Sequence, residues 1–325
     1  MLIQGAFDEF IMVAPGSDYG IAMWSDIKKV DNATFLEYVI DSDNRLLNLL
    51  HHIHFSFWIN GMVQLPFQSL WRKQYTLNKL HFSDNKKYCV IFTDISACRT
   101  DINFLKYLHH KKNITMVMVL VNIFNSKRKL IQNRLPYFER VFSFDKNDCD
   151  NYGFSYYPTF YSIEQDVRQA DCPKTTAFFI GSSKGNRHER IKQLFNLIKE
   201  KGGKPEFYLV GVNNSSEMQD GIHYNQRLSY REVLNHILET NCVIEIMGGN
   251  QSGLTLRAME AICYDKKLVS DNPSVKDLKY YKTGFIKFID SMEDVDVNFI
   301  CNKEIINYQY TGDFSPIHFL EKLNE

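Results

Sequence analysis

Short apolar runs separated by longer mixed stretches recur along most of the chain. In the first half they occupy residues 10–14, 88–93, 115–121 and 140–144. Runs of this length, rich in Val, Ile and Phe and bounded by polar segments, are typical of parallel strands buried on both faces. The segments 101–111 and 126–138 are long enough for crossover helices, and another helix is predicted over 34–54. The first half therefore predicts βαβ units.

The alternation of apolar runs and mixed segments restarts after a stretch of different composition. Residues 145–175 are polar, include Pro158 and Pro173, and show no sustained periodicity, which indicates an interdomain connection. Beyond it, strands are predicted over 176–180, 206–210, 242–247 and 267–270, and helices over 188–201, 229–238 and 254–263. A short amphipathic helix with proline in its first turn is predicted over 315–323.

A length of 325 residues exceeds the usual single domain, so the pattern predicts an α/β protein of two Rossmann-like domains. We place the first domain at 1–160, the second at 161–312, and a last helix at 313–325 that is expected to pack back on the first domain. Open parallel sheets bind ligands at the carboxyl ends of their strands. Two such domains therefore predict a site in a cleft between them.

Composition narrows the class of protein. The chain is 44% hydrophobic and 23% charged, with 38 basic and 38 acidic residues, which is typical of a folded globular protein without a bias toward nucleic acid. Its seven cysteines form no Cys-x-x-Cys pair, which favours a reducing, cytoplasmic compartment. The first residues do not resemble a signal peptide, and the longest apolar run, 115–124, is too short to span a bilayer.

Two segments of the second half are candidates for binding phosphate. The first is the glycine-containing loop before the helix at 254–263, where free backbone amides and the helix dipole favour an anion. There Thr255 can add a hydroxyl and Arg257 a planar cation, and Glu260 lies deeper in the helix, where a carboxylate would accept from sugar hydroxyls.

The second is the loop at 179–187, which follows the first predicted strand of the second domain. It carries glycines, hydroxyls and cations suited to a diphosphate, with Gly181, Ser182, Lys184 and Arg187 as candidates. A polar turn without a ligand is the alternative. Neither Gly-x-x-x-x-Gly-Lys-Ser/Thr nor Gly-x-Gly-x-x-Gly is present, so the loop predicts neither a nucleoside triphosphatase nor a dinucleotide enzyme.

The run Ser252-Gly-Leu-Thr-Leu-Arg-Ala-Met-Glu-Ala-Ile-Cys-Tyr-Asp-Lys-Lys-Leu-Val269 resembles the donor-site signature of GT-B glycosyltransferases over 18 positions. The chain is also similar to bacterial glycosyltransferases of capsule and lipopolysaccharide biosynthesis, which share Ser-Gly-Leu-Thr-Leu-Arg and a second element that appears here as Tyr152-Gly-Phe-Ser-Tyr-Tyr-Pro158. The resemblance implies two domains facing across a cleft, with the acceptor on the first and a nucleotide-sugar donor on the second.

The resemblance also implies roles for individual residues. Gly253, Leu254 and Thr255 would meet the donor diphosphate or sugar, and Glu260 the ribose hydroxyls. Gly181 and Ser182 would line the opposite wall. Tyr224 and Leu228 would contact the nucleotide base of the donor.

The chain departs from the retaining-enzyme pattern at Ser252, which stands where the first glutamate of the Glu-x7-Glu signature is expected. An inverting transfer, which needs a general base on the acceptor side, is therefore the expectation. No metal or other cofactor is expected if Arg257, Lys184, Arg187 and helix amides stabilise the leaving diphosphate; Asp294-Val-Asp296 is interpreted as a solvated turn.

The catalytic general base is expected from the first domain. Asp18, in a glycine-flanked loop after the first apolar run, is the first candidate, and Asp94, at the end of the run 88–93, is the second. Either carboxylate could instead cap a helix.

Two further features of the first half have competing interpretations. His51, His52 and His54 lack a carboxylate at familiar ligand spacing, so a metal site is not expected. The aromatic stretch from Phe55 to Tyr75 could pack in the core, grip a sugar acceptor or touch a lipid surface.

The expected function is transfer of a sugar, from a UDP-sugar in preference to other nucleotide sugars, to a growing surface polysaccharide or lipid-linked glycan. The expected partners are this donor and a glycan or lipid-linked oligosaccharide acceptor, without nucleic acid. The expected location is the cytoplasm, with peripheral contact at the inner membrane face left open. A non-catalytic nucleotide- or sugar-binding module and a sugar-nucleotide epimerase are the alternatives.

Overall fold

The computed structural model of the chain describes residues 1–325 except 41, 43, 63–64, 125–128, 165–166, 168–171, 213–220 and 249–252. The chain divides into two compact units. The first is Met1–Ser162 together with Phe314–Glu325, and the second is Ile163–Asp313. Each unit contains one six-stranded sheet whose strands pair in parallel. The predicted α/β class with two Rossmann-like domains is confirmed.

The sheet of the first unit has the order β2-β1-β3-β4-β5-β6. Its strands are β1 Glu9–Val13, β2 Ala33–Leu36, β3 Tyr88–Thr93, β4 Ile114–Val119, β5 Arg140–Ser143 and β6 Ser155–Tyr156. The α-helices are α1 Asp18–Trp24, α2 Arg45–His54, α3 Phe57–Met62, α4 Asp94–Cys98, α5 Ile102–His109, α6 Lys129–Gln132 and α7 Lys146–Tyr152. Short 3₁₀ helices lie at Ser25–Lys29, Gln68–Gln74, Thr76–Lys79 and Leu135–Tyr137.

Two sequence predictions for this unit are wrong. The helix predicted over 34–54 is instead an edge strand followed by α2. Thr34 and Phe35 pair with Ile11 and Met12 of β1, and the chain becomes helical only after Asn44, whose side chain accepts from the first-turn amides. The irregular stretch predicted from 145 contains α7 and β6, because the Asp145 side chain accepts the N–H groups of Asn147 and Asp148 and caps the helix.

The sheet of the second unit has the order β12-β11-β10-β7-β8-β9. Its strands are β7 Thr175–Ser182, β8 Pro205–Val210, β9 His223–Tyr224, β10 Thr240–Glu245, β11 Lys267–Ser270 and β12 Ile286–Phe288. The α-helices are α8 Arg187–Glu200, α9 Tyr230–Glu239, α10 Leu256–Cys263 and α11 Val297–Cys301, and 3₁₀ helices lie at Pro273–Asp277, Lys279–Thr283 and Met292–Asp294.

The last helix, α12 Pro316–Leu323, belongs to the first unit. Its N-cap Ser315 donates its hydroxyl to Asp26 at 2.8 Å. The ring of Phe319 is fully buried and lies 5.0 Å from the ring of Phe142 in β5. The end of the chain therefore contributes to the core of the unit that also contains its beginning.

The aromatic stretch of the first unit divides between core and surface. Phe55, Trp71 and Tyr75 are buried, whereas Trp58 is 75% exposed and Phe67 is 73% exposed. Core packing therefore explains only part of the stretch.

Within the described ranges, no helix combines the length and the apolar character needed to cross a bilayer.

Candidate functional site

Strand order places a candidate crevice in the second unit between β7 and β10. The chain runs from β7 through β8 to β9 at one edge and then returns to β10 on the other side of β7. This is the Rossmann order 3-2-1-4-5-6, in which the loops leaving the two central strands diverge and ligands bind between them. The two loops lie close together here, because a Cβ added to Gly185 would be 3.8 Å from the carbonyl oxygen of Gly248.

Arg187 occupies this crevice at the first position of α8. Its Nη1 donates to the carbonyl oxygen of Ser182 at 3.0 Å, and its guanidinium lies against Gly248, where a Cβ would come within 2.8 Å of Cζ. A side chain at 248 would therefore have to displace the Arg187 guanidinium from its present position. Burial lowers the pKa of Arg187, whereas the nearby charges of Asp271 and Glu245 raise it. The buried Nε of Arg187 has no hydrogen-bond partner among the described residues.

Two carboxylates that the sequence analysis did not single out, one buried and one half-buried, lie near this arginine. Glu245, at the end of β10, is 3% exposed and accepts the hydroxyls of Thr255 and Ser270. Burial raises the pKa of Glu245. Asp271, directly after β11, accepts the amide of Met247 at 2.7 Å and pairs with Arg190 at 2.7 Å. The sequence did contain a signal for them, since Glu245 lies near the end of one predicted strand and Asp271 directly follows another.

The start of α10 uses hydrogen bonds that the sequence analysis left free for a ligand. Gly253, with φ +90°, donates its N–H to Ser274 Oγ at 3.1 Å. Thr255 is the N-cap, and its Oγ1 accepts the amide of Arg257 at 3.2 Å. The expectation that the first amides of this helix are unpartnered is therefore wrong for Arg257, because a threonine cap already satisfies it. Leu254 is half-buried, and Ser252 lies outside the described residues.

Arg257 and Glu260 pair with each other inside the unit. Their Nη1 and Oε2 atoms are 2.8 Å apart, and the Glu260 side chain has no exposed surface. Burial raises the pKa of Glu260 to about 7, although the Arg257 charge lowers it. In this structure Glu260 thus meets a guanidinium, and its contact with ribose hydroxyls stays a prediction.

The other predicted donor residues lie near the same crevice or on β9. Gly181 is half-buried, and a Cβ there would be 3.0 Å from Nη1 of Arg187, while Lys184 is exposed on the loop. Tyr224 is buried in β9 with its hydroxyl 3.4 Å from Nε2 of His188, a residue that the sequence analysis did not include. Leu228 is half-buried before α9.

The first unit has its own crevice, between β1 and β3, which lie side by side while β1 also pairs with β2. The two predicted bases stand at the starts of the helices that follow these strands. Asp18 is exposed at the start of α1, and Asp94 is 3% exposed at the start of α4. The topology thus brings both candidates to the same edge of one sheet.

Asp94 is held by hydrogen bonds from the segment that follows β4. Its Oδ1 accepts the amide of Val121 at 3.1 Å, and its Oδ2 accepts Nδ2 of Asn122 at 3.3 Å. Burial raises the pKa of Asp94 to about 6. The pKa of Tyr19 is also raised, by burial and by the Asp94 charge. Asp94 is not the N-cap of α4, since Thr93 occupies that position.

A cavity of about 490 Å³ also lies in the first unit, beside the loop that leaves β1. It is bordered by Pro15 and Gly16, by residues after β2, by Asn48, His51 and His52 of α2, and by Arg99. His51 is buried, and its Nε2 lies 3.1 Å from the carbonyl oxygen of Arg99. Burial lowers the pKa of His51 to about 4, so its ring is neutral at physiological pH.

No protein-family model and no curated protein sequence matches the chain. Solved structures do resemble it. UDP-N-acetylglucosamine 2-epimerase from Rickettsia bellii has 12% identity and a TM-score of 0.46, with 98% of this chain and 94% of that chain covered. The lipopolysaccharide outer core galactosyltransferase WaaB has 14% identity and a TM-score of 0.41, with 93% and 89% covered.

A third structure is an α-glucosyltransferase in complex with UDP and DNA, with 11% identity, a TM-score of 0.46, and 82% of this chain and 80% of that chain covered. These similar structures thus include glycosyltransferases and an epimerase. None of these comparisons supports the expectation that nucleic acid is not a partner.

Proposed function

We propose that the protein transfers a sugar from a UDP-sugar to a glycan acceptor of surface polysaccharide or lipid-linked type. The observation that carries this proposal is the crevice between β7 and β10. There Arg187 lies against Gly248, beside a helix whose sequence resembles a GT-B donor signature. A planar cation flanked by glycine-containing loops at a switch point is suited to a diphosphate.

Within this proposal, Arg187 and Lys184 bind the donor diphosphate. The buried Nε of Arg187, unpartnered among the described residues, supplies a donor for a phosphate oxygen. Gly181, Ser182, Gly253, Leu254 and Thr255 border the diphosphate and sugar, together with Ser252, which lies outside the described residues. Tyr224 and Leu228 contact the nucleotide base. Glu260, oriented by Arg257, accepts from the ribose hydroxyls.

The transfer is proposed to invert the anomeric centre without a metal. Asp94, or Asp18 at the same sheet edge, accepts the proton of the acceptor hydroxyl. The acceptor oxygen bonds to the anomeric carbon as the bond to the diphosphate oxygen breaks, and the nucleotide diphosphate leaves with its charge stabilised by Arg187 and Lys184. A carboxyl with a pKa of about 6 is mostly ionised at neutral pH and is a stronger base than an ordinary aspartate.

The proposal is tested by thermal shift with UDP, GDP, CMP and dTDP, since a ligand that binds only the native state raises Tm. We expect UDP to give the largest shift. Arg187→Met should weaken UDP binding by roughly tenfold or more, because a charge-assisted hydrogen bond contributes about 1.5–3 kcal/mol. Arg231→Met is the matched control, since Arg231 is exposed and forms a long ion pair with Glu164 at 3.4 Å. Absence of a shift with all four nucleotides would contradict the proposal.

Product analysis distinguishes the alternatives. A glycosyltransferase releases UDP and moves the sugar to an acceptor or to water. An epimerase changes the donor sugar without an acceptor, and a binding module shows a thermal shift with unchanged donor. Recovery of an epimerised donor, or of intact donor with every acceptor tried, would replace the proposed activity.

A further inference from the structure

Helix α2 exposes an apolar face. Leu46 is 62% exposed, Leu49 55%, Leu50 48% and Ile53 45%. Their spacing at i, i+3, i+4 and i+7 places them on one side of the helix, the side that a globular protein normally buries. A different side of the helix carries His51, which is buried in the unit.

The segment that follows α2 also exposes large apolar side chains. Trp58 of α3 is 75% exposed, Phe67 is 73% exposed, and Leu70 is 75% exposed. The segment that carries Phe67 and Leu70 is tied to the end of α2. Nε2 of His54 lies 2.7 Å from the carbonyl oxygen of Pro66, and Nε1 of Trp71 donates to Nδ1 of His54 at 2.8 Å. We call these seven exposed side chains, four on α2 and three beyond it, the α2–α3 surface.

Phe67 has an unusual backbone conformation. Its φ of +63° lies in the left-handed region, which is unfavourable for a bulky side chain without a compensating role. Clustered exposure of large apolar side chains on one face indicates an interaction site, unlike single exposed residues.

The sequence that carries this surface is biased toward positive charge, and the nearest acidic residues along the chain are Asp41, Asp43 and Asp84 at its two ends. Between residues 44 and 83 the sequence contains no aspartate or glutamate, and its lysines and arginines are Arg45, Arg72, Lys73 and Lys79. The whole chain, in contrast, has equal numbers of basic and acidic residues.

Neighbouring α5 adds to this positive charge. The guanidinium of Arg72 stacks over the ring of Tyr107 at 4.0 Å, and Lys111 lies 5.1 Å from the same ring. Lys106 of α5 is exposed, whereas Asp101, the acidic residue before α5, is 2% exposed. The rim of the α2–α3 surface is therefore basic.

We propose that the α2–α3 surface docks on a bilayer that contains anionic phospholipid. Leucine, isoleucine, tryptophan and phenylalanine side chains on one helix face, with lysine and arginine at the rim, are the combination that inserts to the depth of the head groups while cations meet the lipid phosphates. The charge complementarity selects an anionic lipid surface over an uncharged apolar partner.

This inference does not depend on the identity of the donor. It is tested with vesicles of phosphatidylcholine mixed with phosphatidylglycerol, and with vesicles of phosphatidylcholine alone. Tryptophan fluorescence reports insertion directly, because Trp58 is exposed while Trp24 and Trp71, the other two tryptophans, are at most 9% exposed. We expect a blue shift and co-sedimentation with the anionic vesicles, both weakened by salt, and no blue shift in Trp58→Phe.

Paired variants localise the contact. Leu49→Ser with Ile53→Ser should weaken vesicle binding by about tenfold or more, since each removes a large apolar side chain from the buried area. Lys73→Gln should weaken binding by a few fold, in line with about 1 kcal/mol for one basic side chain near an anionic surface. Ile305→Ser is the matched control, because Ile305 is 94% exposed in the second unit.

Several outcomes would overturn the inference: no binding to anionic vesicles, equal binding to phosphatidylcholine alone, equal loss in the Ile305→Ser control, or self-association in light scattering that Leu49→Ser abolishes. The UDP thermal shift, measured on the same preparations without vesicles, tests the proposed function separately. Failure of one proposal is thus distinguishable from failure of the other.

Discussion

The crevices of the two units have the same kind of backbone and different side chains. In the second unit, carboxylates at the strand ends are tied to partners: Asp271 to Arg190, and Glu245 to the hydroxyls of Thr255 and Ser270. In the first unit, Asp94 accepts from a backbone amide and from an asparagine amide. Asp271 is thus neutralised by a cation, whereas Asp94 and Glu245 are both held by neutral donors.

Burial raises the pKa of both Asp94 and Glu245, so burial alone does not separate their roles. Their neighbours separate them in our proposal. Both carboxylates are 3% exposed and accept hydrogen bonds within their own unit, but Asp94 stands beside Tyr19, which is 36% exposed, and on the same sheet edge as the exposed Asp18. This contrast predicts a chemical role for the carboxylate of the first unit and a structural role for that of the second.

The largest expected effect is that of Asp94→Asn on turnover. If Asp94 is the base, UDP release from a UDP-sugar should fall on the order of 10²–10⁴-fold, while the UDP thermal shift stays as in the wild type. The base must be ionised, so the wild-type rate should rise with pH through about 6 and then level off, and this acidic limb should disappear in the variant.

Asp18→Asn is the matched variant for this test, since it removes the other candidate at the same sheet edge. An unchanged rate in Asp94→Asn with a large loss in Asp18→Asn would transfer the proposed role to Asp18. Equal rates in all three proteins would remove the chemical contrast between the two units.

A second test concerns stability in the second unit. Glu245→Ala leaves the buried hydroxyls of Thr255 and Ser270 without their acceptor, so the free energy of unfolding should fall by about 2–4 kcal/mol. Urea titration measures this fall. In a double-mutant cycle with Thr255→Val, the two effects should be less than additive, because they remove the same hydrogen bond. A Glu245→Ala variant within about 0.5 kcal/mol of the wild type would contradict a structural role.

The smallest effects compare two capping boxes, one in each unit. Thr93 and Ser96 cap α4 in a fully buried position, with Oγ1 of Thr93 accepting the Ser96 amide at 3.0 Å. Ser229 and Glu232 cap α9 in an exposed position, with the reciprocal bond from the Ser229 amide at 2.7 Å. Thr93→Ala should cost about 1–2 kcal/mol and Ser229→Ala about 1 kcal/mol or less, since water replaces the exposed cap. Urea unfolding measures both, and a larger cost at Ser229 would reverse this ranking.

Strand predictions succeeded where burial on both faces leaves a continuous apolar run. β3 and β8 lie within a residue of their predicted bounds for this reason. β2 was missed, because an edge strand of mixed polarity is stabilised by its pairing with β1 rather than by a pattern of its own. Local composition cannot report a partner that is distant in sequence.

The candidate site shows the same division. The sequence located the glycines, Arg187, Asp18 and Asp94 in loops that follow predicted strands, and the parallel topology brought them to the edges where ligands bind. The hydroxyl partners of Glu245 could not be predicted, because Ser270 lies 25 residues away and meets it only through the pairing of β10 with β11.

What the sequence by itself determined is the class of each half, the loops that carry polar chemistry, and the charge bias of residues 44–83, because these follow from local periodicity and composition. Only the tertiary structure decided that Glu260 is enclosed with Arg257, that Asp94 is buried while Asp18 is exposed, and that the apolar face of α2 faces outward. A periodic pattern shows that a helix has an apolar side, but whether that side is covered depends on the elements that fold against it.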